Sequence, residues 1–199
     1  MNSKQFEKRN KKIINSMSKD QRLKDISEKW LLESIKNEYS YHFTWLGLPI
    51  IQYPQDIIAI QEIIWKIKPD LIIETGVARG GSLIFSASLL ELIGKGEVVG
   101  IDIDIRTENK RAIKNHPLNK RITMLEGSSI DKKIFEDVKK IAQGKKKILV
   151  ILDSNHTHKH VLRELKLYST FVSKNSYLVV FDTIIDNLPK ELLNNRPWG

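Results

Sequence analysis

Five short aliphatic runs, each separated from the next by a helical pattern, constrain the fold of this chain more than any other feature. The runs are DLIIETG (70–76), EVVGIDID (97–104), RITMLEGS (121–128), KILVILD (147–153) and SYLVVFD (176–182). Near-continuous aliphatic strands that alternate with helices are typical of parallel sheets covered on both faces. The sequence therefore predicts a doubly wound α/β domain with a mostly parallel, Rossmann-like sheet.

Each of the five predicted strands ends in an acidic residue. These residues are Glu74, Asp102, Glu126, Asp153 and Asp182. In sheets of this kind, ligands bind beyond the carboxyl ends of the strands. A single acid at such a place is more often a helix cap or a turn former. Five acids at one edge repel one another unless cations or hydroxyl-bearing ligands offset the charge, so we expect a ligand site there.

The sequence ETGVARGGS (74–82) places three glycines within six residues between the first strand and the next helix. Such a turn leaves backbone N–H groups free at a helix N-terminus and lets a ligand approach the backbone closely. The spacing is not G-x-G-x-x-G, and Glu74 would repel a pyrophosphate. This acid suits a ligand with a cationic amino-acid end, which favours S-adenosylmethionine, and Asp102 could accept hydrogen bonds from both ribose hydroxyls.

The first part of the chain differs from the rest in charge. Residues 1–36 hold ten Lys or Arg against five Asp or Glu, and the resulting net charge of this segment is about half of the overall net charge of +9. We interpret residues 1–40 as a basic helical extension with a solvated face, in preference to a nucleic-acid or anionic-membrane patch. No RNP sequence, zinc finger or basic zipper accompanies it. Residues 41–199 form the predicted α/β domain, which opens with an aromatic-rich loop at 41–56.

Composition excludes several other classes. The chain has no cysteine, which excludes a disulfide framework and any thiolate metal site. The first residues lack the apolar region of a signal peptide, and no run approaches 18 apolar residues. We expect a soluble, cytoplasmic protein that contacts membranes at most from the surface. Nucleic acid is not the expected partner, and a homo-oligomer is left open.

Six segments together carry a family resemblance. They are ETGVARGGS, GIDIDIR, EGSSID, LDSNHTHKHVLRELKLYS, VSKNSYLVVFDT and the closing RPWG. The chain from about Trp45 to Gly199 resembles the cephalosporin hydroxylase family of bacterial class I methyltransferase-like proteins, which includes rhamnosyl O-methyltransferases. The resemblance implies a class I Rossmann-like sheet that binds S-adenosylmethionine and a divalent metal such as Mg²⁺. It also implies methyl transfer to a hydroxyl of a small molecule or glycan, often on a polysaccharide, glycolipid or antibiotic.

The resemblance also assigns roles to individual positions. The residues implied at the methionine and ribose end of the cofactor are Glu74, Gly76, Arg79, Gly80 and Ser82, with Asp102 on the ribose and Ser128 and Ser129 by the adenine. The implied metal ligands are Asp153 and Asp182, followed by Thr183 where catechol-type enzymes have an asparagine. Phe181 stands where some relatives carry a glutamate. Two carboxylates would leave Mg²⁺ to several waters and substrate oxygens.

Methyl transfer from a sulfonium requires alignment of the hydroxyl oxygen with the methyl carbon and help in removing a proton. A metal on the acceptor would lower its pKa. His156 stands where catechol-type enzymes place a lysine, so it is the candidate base, and Asp153 is the second candidate catalytic residue. The competing interpretation of HTHKH (156–160) is a helix start with solvated imidazoles, which we expect for His158 and His160. No third ligand for a zinc site is evident.

Two alternatives and one expected absence accompany this interpretation. The chain could be an antibiotic-hydroxylating or methoxylating enzyme, although its histidines do not assemble a 2-His-1-carboxylate triad. It could also be a non-catalytic binding protein that keeps the fold. A class I sheet normally has seven strands, and the sequence shows five, so we expect that the last two strands, from a C-terminal segment, are missing from this chain.

Overall fold

The computed structural model describes residues 1–192, which divide into two compact units. The first unit, Met1–Tyr39, contains helices α1 (Ser3–Met17) and α2 (Gln21–Lys36). Helix α1 begins with a capping box, in which the Asn2 side chain accepts from the Gln5 backbone and the Gln5 side chain accepts from the Asn2 backbone. Within the described part of the chain, no helix is both long enough and apolar enough to cross a bilayer. The RPWG sequence lies outside the described residues.

A two-stranded hairpin lies in the segment that the sequence predicts as an aromatic loop. Strand β1 (Thr44–Trp45) pairs antiparallel with β2 (Leu48–Pro49). The turn residues Leu46 and Gly47 both have positive φ, at 46° and 95°, as a type I′ hairpin turn requires. The Trp45 indole N–H donates to Ser88 Oγ at 3.1 Å, which ties the hairpin to the α/β domain.

The five predicted strands are confirmed, and they form one parallel sheet. They are β3 (Leu71–Thr75), β4 (Glu97–Asp102), β5 (Ile122–Glu126), β6 (Ile148–Leu152) and β7 (Leu178–Val180). Their order across the sheet is β5-β4-β3-β6-β7. All four pairings are parallel, so the carboxyl ends of β4, β3 and β6 meet at one edge.

Helices cover both faces of this sheet, so the predicted doubly wound, Rossmann-like architecture is confirmed. Helices α3 (Pro54–Ile67), α4 (Gly81–Ile93) and α5 (Thr107–Asn115) contribute to the core on one face. Helices α6 (Lys132–Ala142) and α7 (His158–Tyr168) contribute to the other. In the central strand β3, Ile72 packs into the first core, whereas Leu71 and Ile73 pack into the second. The central strand therefore holds its carboxyl end rigidly at the middle of the edge.

Candidate active site

The glycine loop between β3 and α4 is pressed against the end of β6. Gly76 has φ +92°, and its N–H donates to the Ile101 carbonyl at 2.7 Å. A Cβ atom at this position would lie 2.0 Å from the Asp153 carbonyl oxygen. Gly80, with φ +87°, is the N-cap of α4, and no side chain caps this helix end. The loop therefore needs glycine at both places and presents open backbone N–H groups.

Asp102, at the end of β4, braces this loop with its carboxylate. Its Oδ2 accepts from the N–H groups of Val77 at 2.8 Å and Ala78 at 3.2 Å. Its Oδ1 accepts from the Asp104 N–H at 3.2 Å. Asn109 of α5 donates from Nδ2 to the Ala78 carbonyl at 2.8 Å, so the loop is fixed from two sides. Sequence reasoning missed Asn109, because its contact spans 31 residues.

Glu74 is the most deeply buried acid of the loop region. It is 2 % exposed, and the Ser82 hydroxyl on the first turn of α4 donates to its Oε1. Burial raises the pKa of Glu74 to about 7, and the Ser82 hydrogen bond opposes this rise. The carboxyl group is therefore poised between its neutral and charged forms near neutral pH.

A cavity extends from Glu74 and Ser82 towards the end of β6. Its polar lining includes Gln52, Asp56, Glu74, Ser82 and Asp153, and it holds no Lys or Arg side chain among the described residues. Gln52 Nε2 donates to Asp153 Oδ2 at 2.7 Å. Burial raises the pKa of Asp56, and the charge of Asp182 adds to this effect. Sequence reasoning missed both Gln52 and Asp56 as residues of the site.

Asp153, His156 and Asp182 come together where β6 and β7 end. One ligand atom from each lies within 4.8 Å of the others, and His156 Nε2 is 3.3 Å from Asp182 Oδ2. Asp182 has a positive φ of 55°, in the left-handed region that aspartate, asparagine and histidine adopt more often than other residues with a side chain. Sequence reasoning identified all three residues, although it gave His156 the role of base and not of ligand.

The ionisation of this group reflects its surroundings. Burial raises the pKa of Asp153 well above its ordinary value, and the charges of Asp182 and Glu74 raise it further. Burial lowers the pKa of His156, and the negative charge of Asp182 opposes this effect. A neutral imidazole next to two carboxyl groups can accept a proton or donate a lone pair to a metal.

The donor set fits a divalent cation. Two carboxylates and one imidazole nitrogen converge at Asp153, His156 and Asp182, and a cation would offset the repulsion that raises the pKa of Asp153. Carboxylate oxygens suit Mg²⁺, and an added imidazole nitrogen also suits Mn²⁺ and other transition metals. A group with one histidine and two acids is not the 2-His-1-carboxylate arrangement.

The loop after β5 is held by helix α7. Tyr168 donates its hydroxyl hydrogen to the Ser129 carbonyl at 2.7 Å, and Ser129 Oγ lies 3.1 Å from His160 Nε2. The expectation of a solvated imidazole is wrong for His160, whose side chain is 18 % exposed and lies 3.4 Å from the buried Glu164. The two residues are four apart on α7, and that spacing was the signal available in the sequence.

The remaining predicted residues lie at the margins of the site. Ser128 is half-buried in the loop after β5, and Arg79 is exposed within the glycine loop. Thr183 is exposed and lines a cleft of about 180 Å³ with His156, His158 and Asp182. Glu126 lies apart from the acidic group, since it forms an ion pair with Lys110 at 2.9 Å and is half exposed.

Comparisons with known proteins identify related chains. Residues 37–199 match the family model described as Rhamnosyl O-methyltransferase/CmcI. The rhamnosyl O-methyltransferase of Mycobacterium tuberculosis (strain ATCC 25618 / H37Rv) is 32% identical over 148 residues. This match covers 73% of the present chain and 59% of the relative, so the chain spans less than two thirds of the relative's length.

Solved structures share the fold. A CmcI structure designated Mg-SAM has a TM-score of 0.56 and 21% identity, and the match covers 76% of this chain and 63% of that one. A putative caffeoyl-CoA O-methyltransferase from Staphylococcus aureus has a TM-score of 0.53 and 14% identity, covering 88% of this chain and 73% of the other. At these identities the likeness concerns the fold alone.

Proposed function

Because the chain belongs to the rhamnosyl O-methyltransferase/CmcI family, we propose that it is an S-adenosylmethionine-dependent O-methyltransferase. The proposed acceptor is a hydroxyl of a saccharide, glycolipid or related natural product, and a divalent cation assists. The names of the relatives support a sugar acceptor, and the CmcI structure designated Mg-SAM supports both the cofactor and the cation.

The cavity beside the glycine loop is the observation that carries this proposal. Its lining holds the carboxyl groups of Asp56, Glu74 and Asp153 and, within residues 1–192, neither lysine nor arginine. Burial raises the pKa of all three carboxyl groups, and the charge of Glu74 raises that of Asp153 further, so a lining without a basic side chain among the described residues favours a cationic ligand. S-adenosylmethionine carries positive charge on both its ammonium and its sulfonium.

The residues around the glycine loop would hold this cofactor. Glu74 would accept a hydrogen bond from the methionine ammonium, since its carboxylate is favoured once a cation lies beside it. The open N–H groups at the start of α4, with Gly76, Arg79 and Gly80 in the preceding loop, would receive the methionine carboxylate. Ser82, which already donates to Glu74, would hold that acid in place.

The other end of the cofactor would lie along β4 and β5. Asp102 Oδ2 already accepts two backbone hydrogen bonds, whereas Oδ1 accepts one. A ribose hydroxyl would therefore donate to Oδ1, whose lone pairs are less used. Ser128 and Ser129 would lie by the adenine, and the contact of Tyr168 with the Ser129 carbonyl would keep that loop in position.

A bound cation would be held by Asp153, Asp182 and the His156 imidazole, with Thr183 next to them. When bound, it would lower the pKa of the acceptor hydroxyl. The His156 imidazole is neutral at neutral pH because burial lowers its pKa, so it could take the acceptor's proton. A neutral imidazole has one nitrogen with a free lone pair, so His156 would act either as base or as ligand, and a metal titration of His156→Ala distinguishes the two roles.

The acceptor would enter through the cleft of about 180 Å³ at the end of β7. Its walls combine apolar side chains of α7, including Val161, Leu162 and Leu165, with the polar groups of His158 and Thr183. The cleft also reaches His156 and Asp182, which belong to the proposed metal group. A hydroxyl at the inner end of such an acceptor would meet the groups that remove its proton.

Titration calorimetry with S-adenosylmethionine tests this proposal. We expect saturable binding that Glu74→Gln weakens at least tenfold, a loss of about 1.4 kcal/mol. Glu126→Gln is the matched control, since this strand-end acid forms a surface ion pair outside the cavity. Absence of binding by the wild-type chain, with and without Mg²⁺, would refute the proposal.

A further inference from the structure

Helix α1 has an exposed apolar face that no part of the proposed site explains. Phe6, Ile13, Ile14 and Met17 are exposed by 49%, 41%, 61% and 50%, and the helix has no buried residue. Residues 6, 13 and 17 are separated by seven and four positions, so they lie along one side of the helix. The family match begins at residue 37, so this face lies outside the matched region.

The opposite side of α1 is strongly basic. Five Lys or Arg residues and one acid fall within Ser3–Met17, which gives the helix a net charge of +4. The basic residues are Lys4, Lys8, Arg9, Lys11 and Lys12. At 100° per residue, they occupy a sector separate from that of Phe6, Ile13 and Met17. Sequence reasoning favoured a solvated face here, but it did not consider four large apolar side chains exposed on the same helix.

Helix α1 obtains little stability from its own ends and would obtain more from a partner that covers its apolar face. The capping box at Asn2 fixes where it begins. A helix of 15 residues is nevertheless marginal in water without packing of its apolar face. An occupant that covers the apolar side chains and neutralises the basic ones would stabilise it.

We propose that α1 binds in the interfacial layer of an anionic lipid bilayer. Phe6, Ile13 and Met17 would enter the boundary between headgroups and acyl chains, and the lysines would contact anionic headgroups. Charge complementarity selects this occupant over a second copy, since pairing two α1 helices would bring together two charges of +4. Nucleic acid would neutralise the lysines but leave the apolar side chains exposed to water.

Vesicle flotation tests this proposal on the full chain and does not depend on its enzymatic activity. With vesicles of phosphatidylcholine containing 30 mol% phosphatidylglycerol, we expect a partition coefficient at least tenfold higher than with phosphatidylcholine alone. A salt increase from 0.1 M to 0.5 M should weaken the binding severalfold. The helical circular dichroism signal should increase with the anionic vesicles.

Variants on the two faces of α1 separate the contribution of its apolar side chains to vesicle binding from that of its basic side chains. Phe6→Gln with Ile13→Gln, and separately Lys8→Gln with Lys11→Gln, should each lower the partition at least tenfold. Leu92→Gln on α4 is the apolar control, since Leu92 is 75% exposed, and Lys132→Gln on α6 is the basic control. Both controls should bind as the wild type does.

Three outcomes would overturn the proposal. They are absence of binding to anionic vesicles, binding by the face variants that equals that of the wild type, and a lipid-free dimer that Phe6→Gln with Ile13→Gln dissociates. Sedimentation equilibrium without lipid examines the third outcome, which would assign the face to a second copy. The substituted side chains are exposed, so we expect the variants to fold, and a change in partition then reports on binding to the bilayer.

Discussion

The two halves of the proposed site are stabilised in opposite ways. Around the glycine loop, polar groups are paired with protein donors: Asp102 accepts from two loop N–H groups, and Ser82 donates to Glu74. At the ends of β6 and β7, burial and the charge of Asp182 disfavour the charged form of Asp153 and raise its pKa. The loop half is therefore preorganised without a ligand, whereas the acidic half keeps a repulsion that the Gln52 hydrogen bond offsets only in part and that a bound cation would offset further.

This difference indicates that the two halves of the proposed site have different roles. A preorganised loop fixes the position of a cofactor at little entropic cost. In the acidic half the pKa of Asp153 is raised, so a cation that enters would favour its charged form. We therefore expect substitutions in the loop to act mainly on folding and cofactor affinity, and substitutions in the acidic group to act mainly on metal affinity.

The largest effect should come from Gly76→Ala. Its Cβ would lie 2.0 Å from the Asp153 carbonyl oxygen, and φ is +92°. We expect a loss of about 4 kcal/mol in the free energy of unfolding, because backbone must move in both halves. Gly94→Ala is the control, since Gly94 has φ +82° and open space around its Cβ, and it should lose about 1 kcal/mol. Urea denaturation measures both, and equal losses would contradict the close contact between the halves.

The second effect concerns the pH dependence of stability. The pKa of Glu74 rises from 4.5 in the unfolded chain to about 7 in the folded one, so folding favours its protonated form. The wild type should lose stability as pH rises from 4.5 to about 7, by about 3 kcal/mol from this group. Glu74→Gln lacks this titration, so its stability relative to wild type should increase over the same range. Urea denaturation at pH 5 and pH 8 gives the difference, and a constant difference would contradict the assignment.

The third effect separates the acidic half from the loop half. Asp153→Asn and Asp182→Asn should each weaken Mn²⁺ binding at least tenfold, or about 1.4 kcal/mol, because each removes a charged oxygen ligand. Asp104→Asn is the control, since Asp104 is an exposed acid near the same sheet edge. Electron paramagnetic resonance of free Mn²⁺ measures the affinity. Binding that is unaffected by both substitutions would remove the cation from this group.

The smallest effect should come from Asn109→Ala. This substitution removes the hydrogen bond to the Ala78 carbonyl and should cost about 1 kcal/mol of stability, with a severalfold loss of cofactor affinity. Asn115→Ala is the control on the same helix, where the side chain is exposed. Thermal denaturation and calorimetry measure the two quantities. If both variants behave alike, Asn109 does not brace the loop.

The backbone architecture and the positions of the acidic residues could be predicted from the sequence. Aliphatic runs reveal parallel strands because both faces of such strands are buried, and the residue after each run then falls at the carboxyl edge. Glu74, Asp102, Asp153 and Asp182 were found in this way. The same reasoning included Glu126, although its carboxylate pairs with Lys110.

The remaining contacts depend on side chains that the fold brings together from distant positions. Gln52 reaches Asp153 across 101 residues of sequence, and Ser129 meets His160 across 31. No local periodicity encodes these pairs. The hairpin at Thr44–Pro49 was missed for another reason: its turn places Leu46 at a positive φ, a conformation that leucine rarely adopts.

Proton release on cofactor binding tests directly whether Glu74 faces a cationic ligand. Calorimetry at pH 7 in two buffers of different ionisation enthalpy gives the number of protons released with S-adenosylmethionine. We expect the wild type to release about 0.5 proton more than Glu74→Gln, since a cation beside a carboxyl group with a pKa of about 7 would complete its ionisation. Equal proton release by the two proteins would contradict this expectation.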